Sequence, residues 1–133
     1  MSLAMFMAVG AGGAFGAMNC YGVAQFVGGG LFRIVEPMAT LVVNVAGSSL
    51  MGTIAGGIAA VISLPEAWRV FIAVGFLGAL TTFSSFALHT GQLAARQGMV
   101  MTTLYVELSA GLSLSALFAT QAFITAFLGR MPG

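Results

Sequence analysis

Charge is what this sequence has least of. Only 5% of its 133 residues are charged, and it contains neither lysine nor aspartate. A soluble domain usually carries about 25% charged residues, so four basic and three acidic side chains are too few to cover a water-exposed surface of this size. The shortage also excludes a nucleic-acid-binding surface, which needs clustered lysine and arginine.

Cysteine and histidine are equally scarce. The single cysteine, Cys20, excludes an intrachain disulfide and a zinc site. The single histidine, His89, has no nucleophile or acid partner in the pattern, so we predict that the chain is not an enzyme. The first residues lack a positively charged n-region, and we interpret them as the start of a permanent membrane segment.

Apolar residues are abundant, at 59% of the chain. Four stretches reach the length of about 20 residues that a membrane-spanning helix needs, at about 3–27, 39–62, 70–93 and 99–128. The connectors between them are short and contain glycine or proline. The sequence therefore predicts an all-α membrane protein, with residues 1–133 forming a single unit of four transmembrane helices in contact with lipid.

The four arginines are divided equally between the two ends of these spans. Arg33 and Arg96 fall on one side of the membrane, and Arg69 and Arg130 fall on the other. Orientation follows the excess of lysine and arginine near span ends, and here there is no excess. Equal counts favour chains that insert in both orientations and pair as an antiparallel dimer. The alternative is that four charges are too few to reveal a bias.

Small residues recur at helical spacing in the first two spans. Gly12 and Gly16 are four apart, and Ser48, Gly52 and Gly56 form a longer row. Such rows let helix backbones approach closely in lipid. We therefore predict that they are helix-packing surfaces.

Polar side chains within the spans are the first candidates for function, because they are costly in a bilayer. Asn44 in the second span either joins helices or presents an N–H donor to an anion. The run 75–86 in the third span contains glycine, threonine and serine, which are poor helix formers. It predicts a helix broken in mid-membrane, which would free carbonyls for a cation and a helix N-terminus for an anion. The alternative is an intact helix whose hydroxyls bond to preceding carbonyls.

Two further patterns lie near these residues. Phe83 and Phe86 share a helix face, and their positive ring edges could contact an anion, although lipid packing is the ordinary role of such a pair. Tyr105, Ser109 and Ser113 form a stripe of hydroxyls in the fourth span. Fixed neutral donors suit a desolvated anion, whereas a proton-coupled transporter would need a central carboxylate.

The segments 40–47 and 75–86, together with the glycine-rich 12–17, resemble the Fluc (CrcB-like) family of fluoride channels over essentially the whole chain. The resemblance implies a passive, fluoride-selective channel in the bacterial plasma (inner) membrane, through which cytoplasmic fluoride leaves. It further implies an antiparallel, dual-topology homodimer with two pores. The alternatives are a small four-helix proton-coupled multidrug exporter and a structural subunit of a membrane complex.

The resemblance also assigns roles to individual residues. Main-chain carbonyls of Gly78 and Thr81 would hold a structural sodium ion (Na⁺) at the dimer centre. The remaining roles belong to side chains of the fluoride pore, which are the Asn44 amide, the ring edges of Phe83 and Phe86, the hydroxyl pair Ser84 and Ser85, and the track of Tyr105, Ser109 and Ser113.

The chain departs from the family pattern at two positions. Cys20 stands where the family usually has arginine, and His89 stands where it often has glutamate. With Glu107, these residues are the uncertain candidates for a pore vestibule. One hypothesis is that His89 and Glu107 form a substitute polar pair, and the alternative is that Glu107 snorkels or lies in a vestibule. The missing arginine is also compatible with a heterodimer of two sibling subunits.

Overall fold

The computed structural model describes residues 2–29, 36–60 and 63–130, and this part of the chain is helical without strands. Four of its helical runs are long and apolar enough to cross a membrane: Leu3–Phe26, Pro37–Ala60, Glu66–Gln97 and Met99–Leu128. The predicted all-α fold class with four spans is therefore confirmed, and the chain is a multi-pass integral membrane protein. Arg33 lies outside the described residues, together with most of the first connector.

The first two spans are continuous helices. Helix α1 covers Leu3–Gly29 and helix α2 covers Glu36–Ala60. Pro37 lies in the first turn of α2, where a missing backbone N–H costs nothing because that group has no partner within the helix. This explains why α2 begins a few residues before the apolar stretch from which the span was predicted.

The third span is assembled from several helical pieces. Helix α3 (Glu66–Arg69) continues into a π-helical segment (Val70–Leu77) and then into helix α4 (Gly78–Leu80). Helix α5 (Phe83–Gln97) completes the span. A π-helix of this length is unusual, since π geometry normally appears as a single turn and often near functional sites.

The backbone leaves helical conformation between α4 and α5. Thr81 has φ −82° and ψ 141°, and Thr82 has φ −137° and ψ 112°, so both residues are extended. We call these two residues the interruption.

A tight turn joins the third and fourth spans. Gly98 connects α5 to helix α6 (Met99–Leu128) and has φ +82° and ψ 174°. This backbone region is open essentially to glycine alone, so the turn depends on Gly98.

Glycines allow close contact within two pairs of spans, the first with the third and the second with the fourth. In α1, Gly12 and Gly16 lie against the carbonyl oxygens of Phe71 and Phe76 in the π-helical segment, with no room for a Cβ. Helix α2 packs most extensively against α6, and a Cβ at Gly56 would come within 2.6 Å of the Gln121 carbonyl oxygen. The glycines of both predicted rows therefore lie at helix–helix contacts.

The α2–α6 contact also carries hydrogen bonds between helices. Thr120 donates from Oγ1 to the Ser49 carbonyl at 3.0 Å, in addition to its bonds within α6. Thr125 donates to the Gly56 carbonyl at 3.4 Å. Hydroxyls of this kind hold helices together in lipid, where the hydrophobic force between helices is small.

The apolar core is small and lies beside the interruption. Val43, Leu77 and Leu80 are its buried members. Most other large apolar side chains are exposed on the single chain, among them Phe26, Trp68 and Phe118. This pattern is expected of a membrane protein, because lipid tails are as apolar as leucine.

Candidate functional site: a cavity at the interruption

A cavity of about 290 Å³ lies where α2, α5 and α6 meet the interruption. Helix α2 contributes two polar residues, the interruption and the start of α5 contribute four residues, and α6 contributes one small and two hydroxyl-bearing residues. The wall consists of Asn44, Ser48, Thr81, Thr82, Phe83, Phe86, Ser109, Ala110 and Ser113. Its polar groups are amides and hydroxyls, and none of these side chains carries a charge.

Asn44 joins α2 to the interruption. The Thr82 backbone N–H donates to the Asn44 Oδ1 atom at 3.0 Å. A backbone N–H can only donate, so the oxygen of the carboxamide must face it and the Nδ2 group must point elsewhere. Helix α2 can approach this closely because Gly47 has no side chain at the point where it meets the Thr81 methyl group.

Thr82 forms the N-terminal cap of α5. Its Oγ1 accepts a hydrogen bond from the Ser85 backbone N–H at 3.2 Å, which satisfies one of the free donors of the first turn. The same oxygen lies 3.1 Å from Ser84 Oγ and 3.2 Å from Ser85 Oγ. The structure thus brings Ser84 and Ser85 to the capping threonine rather than to the cavity wall, and their role in a pore stays a prediction.

Three aromatic rings are in consecutive contact beside the cavity. The ring centroids of Phe83 and Phe86 are 5.6 Å apart with planes inclined at 44°, and those of Phe86 and Tyr105 are 5.5 Å apart at 30°. Tyr105 is buried behind Phe86 and does not line the cavity. Phe83, in contrast, is 80% exposed on the single chain although its ring forms part of the wall.

The hydroxyl oxygens of the α6 stripe are buried. The hydroxyl oxygens of Tyr105, Ser109 and Ser113 have no hydrogen-bond partner in the described part of the chain. Most buried polar groups in native proteins are hydrogen-bonded, so such exceptions require an explanation. Two of the three residues, Ser109 and Ser113, line the cavity, and their hydroxyls have unused hydrogen-bonding capacity there.

The interruption also changes the partners of two carbonyls. In an α-helix the Gly78 carbonyl would accept from the Thr82 N–H and the Thr81 carbonyl from the Ser85 N–H. Here the Thr82 N–H donates to Asn44 and the Ser85 N–H donates to the Thr82 hydroxyl. Both carbonyls have therefore lost their usual helical donors. Carbonyl oxygens are suitable ligands for a hard cation, so Gly78 and Thr81 fit the sodium prediction.

The three vestibule candidates lie in different environments. Cys20 is partly buried and packs against the apolar core. The His89 ring is buried, with Nδ1 at 3.1 Å from the Thr40 hydroxyl oxygen on α2. Glu107 is exposed on α6. Thr40 is thus one hydrogen-bond partner of His89, and the hypothesis of a His89–Glu107 pair stays a prediction.

Comparison with known proteins connects this geometry to a family. The CrcB-like protein family (Camphor Resistance, CrcB) matches residues 7–121. The chain belongs to the CrcB-like family. Relatives named "Fluoride-specific ion channel FluC" include a protein of Nitrobacter winogradskyi, 41% identical over 90% of this chain and 94% of the relative. Others are one of Rhodospirillum centenum (40% identical, covering 90% and 94%) and one of Methylobacterium nodulans (35% identical, covering 95% and 97%).

Membership of the CrcB-like family was thus predictable from motifs, but three residues of the site were not identified from the sequence. Thr82 caps α5 and lines the cavity, Ser48 lines it from α2, and Thr40 binds His89. A signal for each was present. Thr82 directly precedes the start of a helix, as an N-cap does. Thr40, Asn44 and Ser48 are spaced four apart and so share one face of α2.

Proposed function

We propose that this CrcB-like chain is the subunit of a passive, fluoride-selective channel that releases cytoplasmic fluoride across the bacterial inner membrane. The observation that carries the proposal is the cavity wall, in which uncharged donors converge beside two phenylalanine rings. Ser109 and Ser113, whose hydroxyl oxygens have no hydrogen-bond partner among the described residues, line this cavity together with Asn44. The names of the FluC relatives, similar over at least 90% of this chain, agree with it.

The chemistry of the wall suits fluoride. Fluoride is small and strongly hydrated, so a pore must replace its water shell with hydrogen-bond donors. The Asn44 amide and the serine hydroxyls can do this, and the positive edges of Phe83 and Phe86 add weak attraction. Because no wall residue is charged, binding is weak enough for the ion to leave, as conduction requires. A passive channel needs no catalytic group, and we assign none.

A second chain would complete the pore. Phe83 is largely exposed although it lines the cavity, and a partner packed on this face would cover it and close the open side of the cavity. The equal division of the arginines at the span ends favours an antiparallel partner. We therefore propose a dual-topology homodimer with two pores, in which the interruption lies at membrane depth. The alternative is a heterodimer with a sibling subunit. A mass measurement on the purified complex distinguishes the two assemblies.

The carbonyls of Gly78 and Thr81 are the proposed ligands of a structural sodium ion at the dimer centre. Their usual helical donors are engaged elsewhere, by Asn44 and by the Thr82 hydroxyl. When bound, the ion would supply positive charge where two interrupted helices meet. The contribution of the chain itself is to hold the Gly78 carbonyl in helix α4 and the Thr81 carbonyl in the extended backbone that follows it.

Purified protein in liposomes tests the function directly. We expect fluoride efflux, recorded with an ion-selective electrode, in vesicles that retain chloride. Proton-coupled transport of drug cations without anion efflux would instead identify a multidrug exporter. That class needs a central carboxylate, and the only glutamate of α6, Glu107, is exposed and outside the cavity wall. If neither kind of transport is observed, the remaining candidate is a structural subunit of a membrane complex.

A further inference from the structure

Two acceptors could take the Thr82 backbone N–H. In a continuous α-helix it would donate to the Gly78 carbonyl, four residues earlier. In the structure it donates to Asn44 Oδ1 at 3.0 Å, and the extended backbone of Thr81 turns the amide away from Gly78. Asn44 Oδ1 on α2 therefore competes with the Gly78 carbonyl for the Thr82 N–H, and this competition opposes a continuous helix at the interruption.

We infer that Asn44 positions the carbonyl of Gly78 for a monovalent cation, in addition to donating to an anion, because its Oδ1 holds the Thr82 N–H that would otherwise close the helix onto that carbonyl. The inference rests on the proposed function for the anion role of Asn44. The positioning role rests on the hydrogen bond between the Thr82 N–H and Asn44 Oδ1, together with the sodium site proposed above. One side chain on α2 would then link the proposed cation site to the proposed anion path.

The carboxamide of Asn44 has its acceptor oxygen and its donor nitrogen on separate branches of one planar group. Because Oδ1 faces the Thr82 N–H, the two Nδ2 donors lie on the other branch of the planar carboxamide and are not used in this contact. Asn44 itself lines the cavity, and no described residue accepts from Nδ2. The same bond therefore orients the donor for the anion and keeps the backbone carbonyl available.

The Thr82 hydroxyl does not make Asn44 redundant. Thr82 Oγ1 engages the Ser85 N–H and so removes the usual donor of the Thr81 carbonyl. It does not engage the Thr82 N–H, whose acceptor is Asn44. Loss of the Asn44 oxygen should therefore affect the Gly78 carbonyl while the cap of α5 persists.

The test is a sodium titration of the thermal stability of the purified full-length protein, in detergent, with N-methylglucamine as the replacement cation. Asn44→Leu removes the acceptor, and we expect the sodium midpoint to rise about tenfold, the factor supplied by one ordinary hydrogen bond. Asn44→Thr should do the same, since its hydroxyl is one bond too short to reach the Thr82 N–H, and it serves if the leucine variant does not fold. Ser48→Ala is the matched control, as it removes another cavity-lining polar group of α2, and should keep the wild-type midpoint.

A third variant separates the two roles. Asn44→Asp keeps an acceptor oxygen but no donor, so we expect fluoride efflux to fall while the sodium midpoint does not rise. Midpoints of Asn44→Leu and Asn44→Thr equal to that of Ser48→Ala would overturn the inference, as would stability of the wild type that is independent of sodium. Absence of fluoride efflux from wild-type liposomes, with the midpoints ordered as expected, would refute the proposed function and leave the positioning role intact.

Discussion

The contact between α1 and the π-helical segment makes Gly12→Ala an informative perturbation. A Cβ at position 12 would overlap the Phe71 carbonyl oxygen and would lie 3.0 Å from the Phe76 backbone nitrogen. Both atoms belong to the backbone, so no change of side-chain rotamer relieves the overlap and the helices must separate. Overpacking of this kind costs about 1–3 kcal/mol, while alanine in a helix gains about 0.5–1 kcal/mol over glycine. We expect a net loss of about 1–2 kcal/mol.

The adjacent Gly13 provides the control. A Cβ at Gly13 meets nothing within 4 Å, so Gly13→Ala should retain only the helical gain of about 0.5–1 kcal/mol. The two variants should therefore differ by about 2 kcal/mol in the free energy of unfolding, measured by denaturing-detergent titration in mixed micelles. Equal stability of the two variants would refute the close α1 contact.

Three further substitutions test the packing around the site in the same titration. Thr40→Val removes the hydroxyl beside the His89 ring and should cost about 1–3 kcal/mol. Unchanged stability of this variant would contradict a buried hydrogen bond at this position. Leu77→Ala truncates a side chain that is 1% exposed and should cost about 2–5 kcal/mol, whereas a loss below this range would place Leu77 outside the core. Gly98→Ala should cost about 1–3 kcal/mol through strain at the positive φ of this residue. The control is Gly91→Ala, which lies within a helix, is equally free of neighbours and should cost nothing. Similar losses of stability in the two variants would argue against the positive φ at Gly98.

Much of the fold could be predicted because the bilayer imposes length and composition on its spans. The fourth span was predicted at about 99–128 and α6 covers Met99–Leu128. The third was predicted at about 70–93, but its helical run extends from Glu66, directly after the N-cap residue Pro65, to Gln97. The π-helical segment could not be predicted, because no residue in Val70–Leu77 marks π geometry in a sequence.

The candidate site could be predicted in part. Asn44, Ser109 and Ser113 stand out as polar side chains in apolar spans, and all three line the cavity. The partners of Ser84 and Ser85 could not be predicted, because a serine at the start of a helix has several acceptors within reach. Whether the Thr82 N–H donates to the Gly78 carbonyl or to Asn44 Oδ1 depends on how closely α2 approaches the interruption. That distance is set by the packing of the helices.

Our central claim is that the cavity at the interruption is a path for fluoride. The most direct test measures fluoride and chloride efflux from liposomes containing the wild type or the double variant Ser109→Ala with Ser113→Ala. Neither serine hydroxyl has a hydrogen-bond partner of normal geometry among the described residues, so we expect the double variant to fold. We expect rapid, fluoride-only efflux for the wild type and a reduction of about tenfold or more for the double variant. Undiminished fluoride efflux from a folded double variant, or chloride efflux as fast as that of fluoride, would contradict the claim.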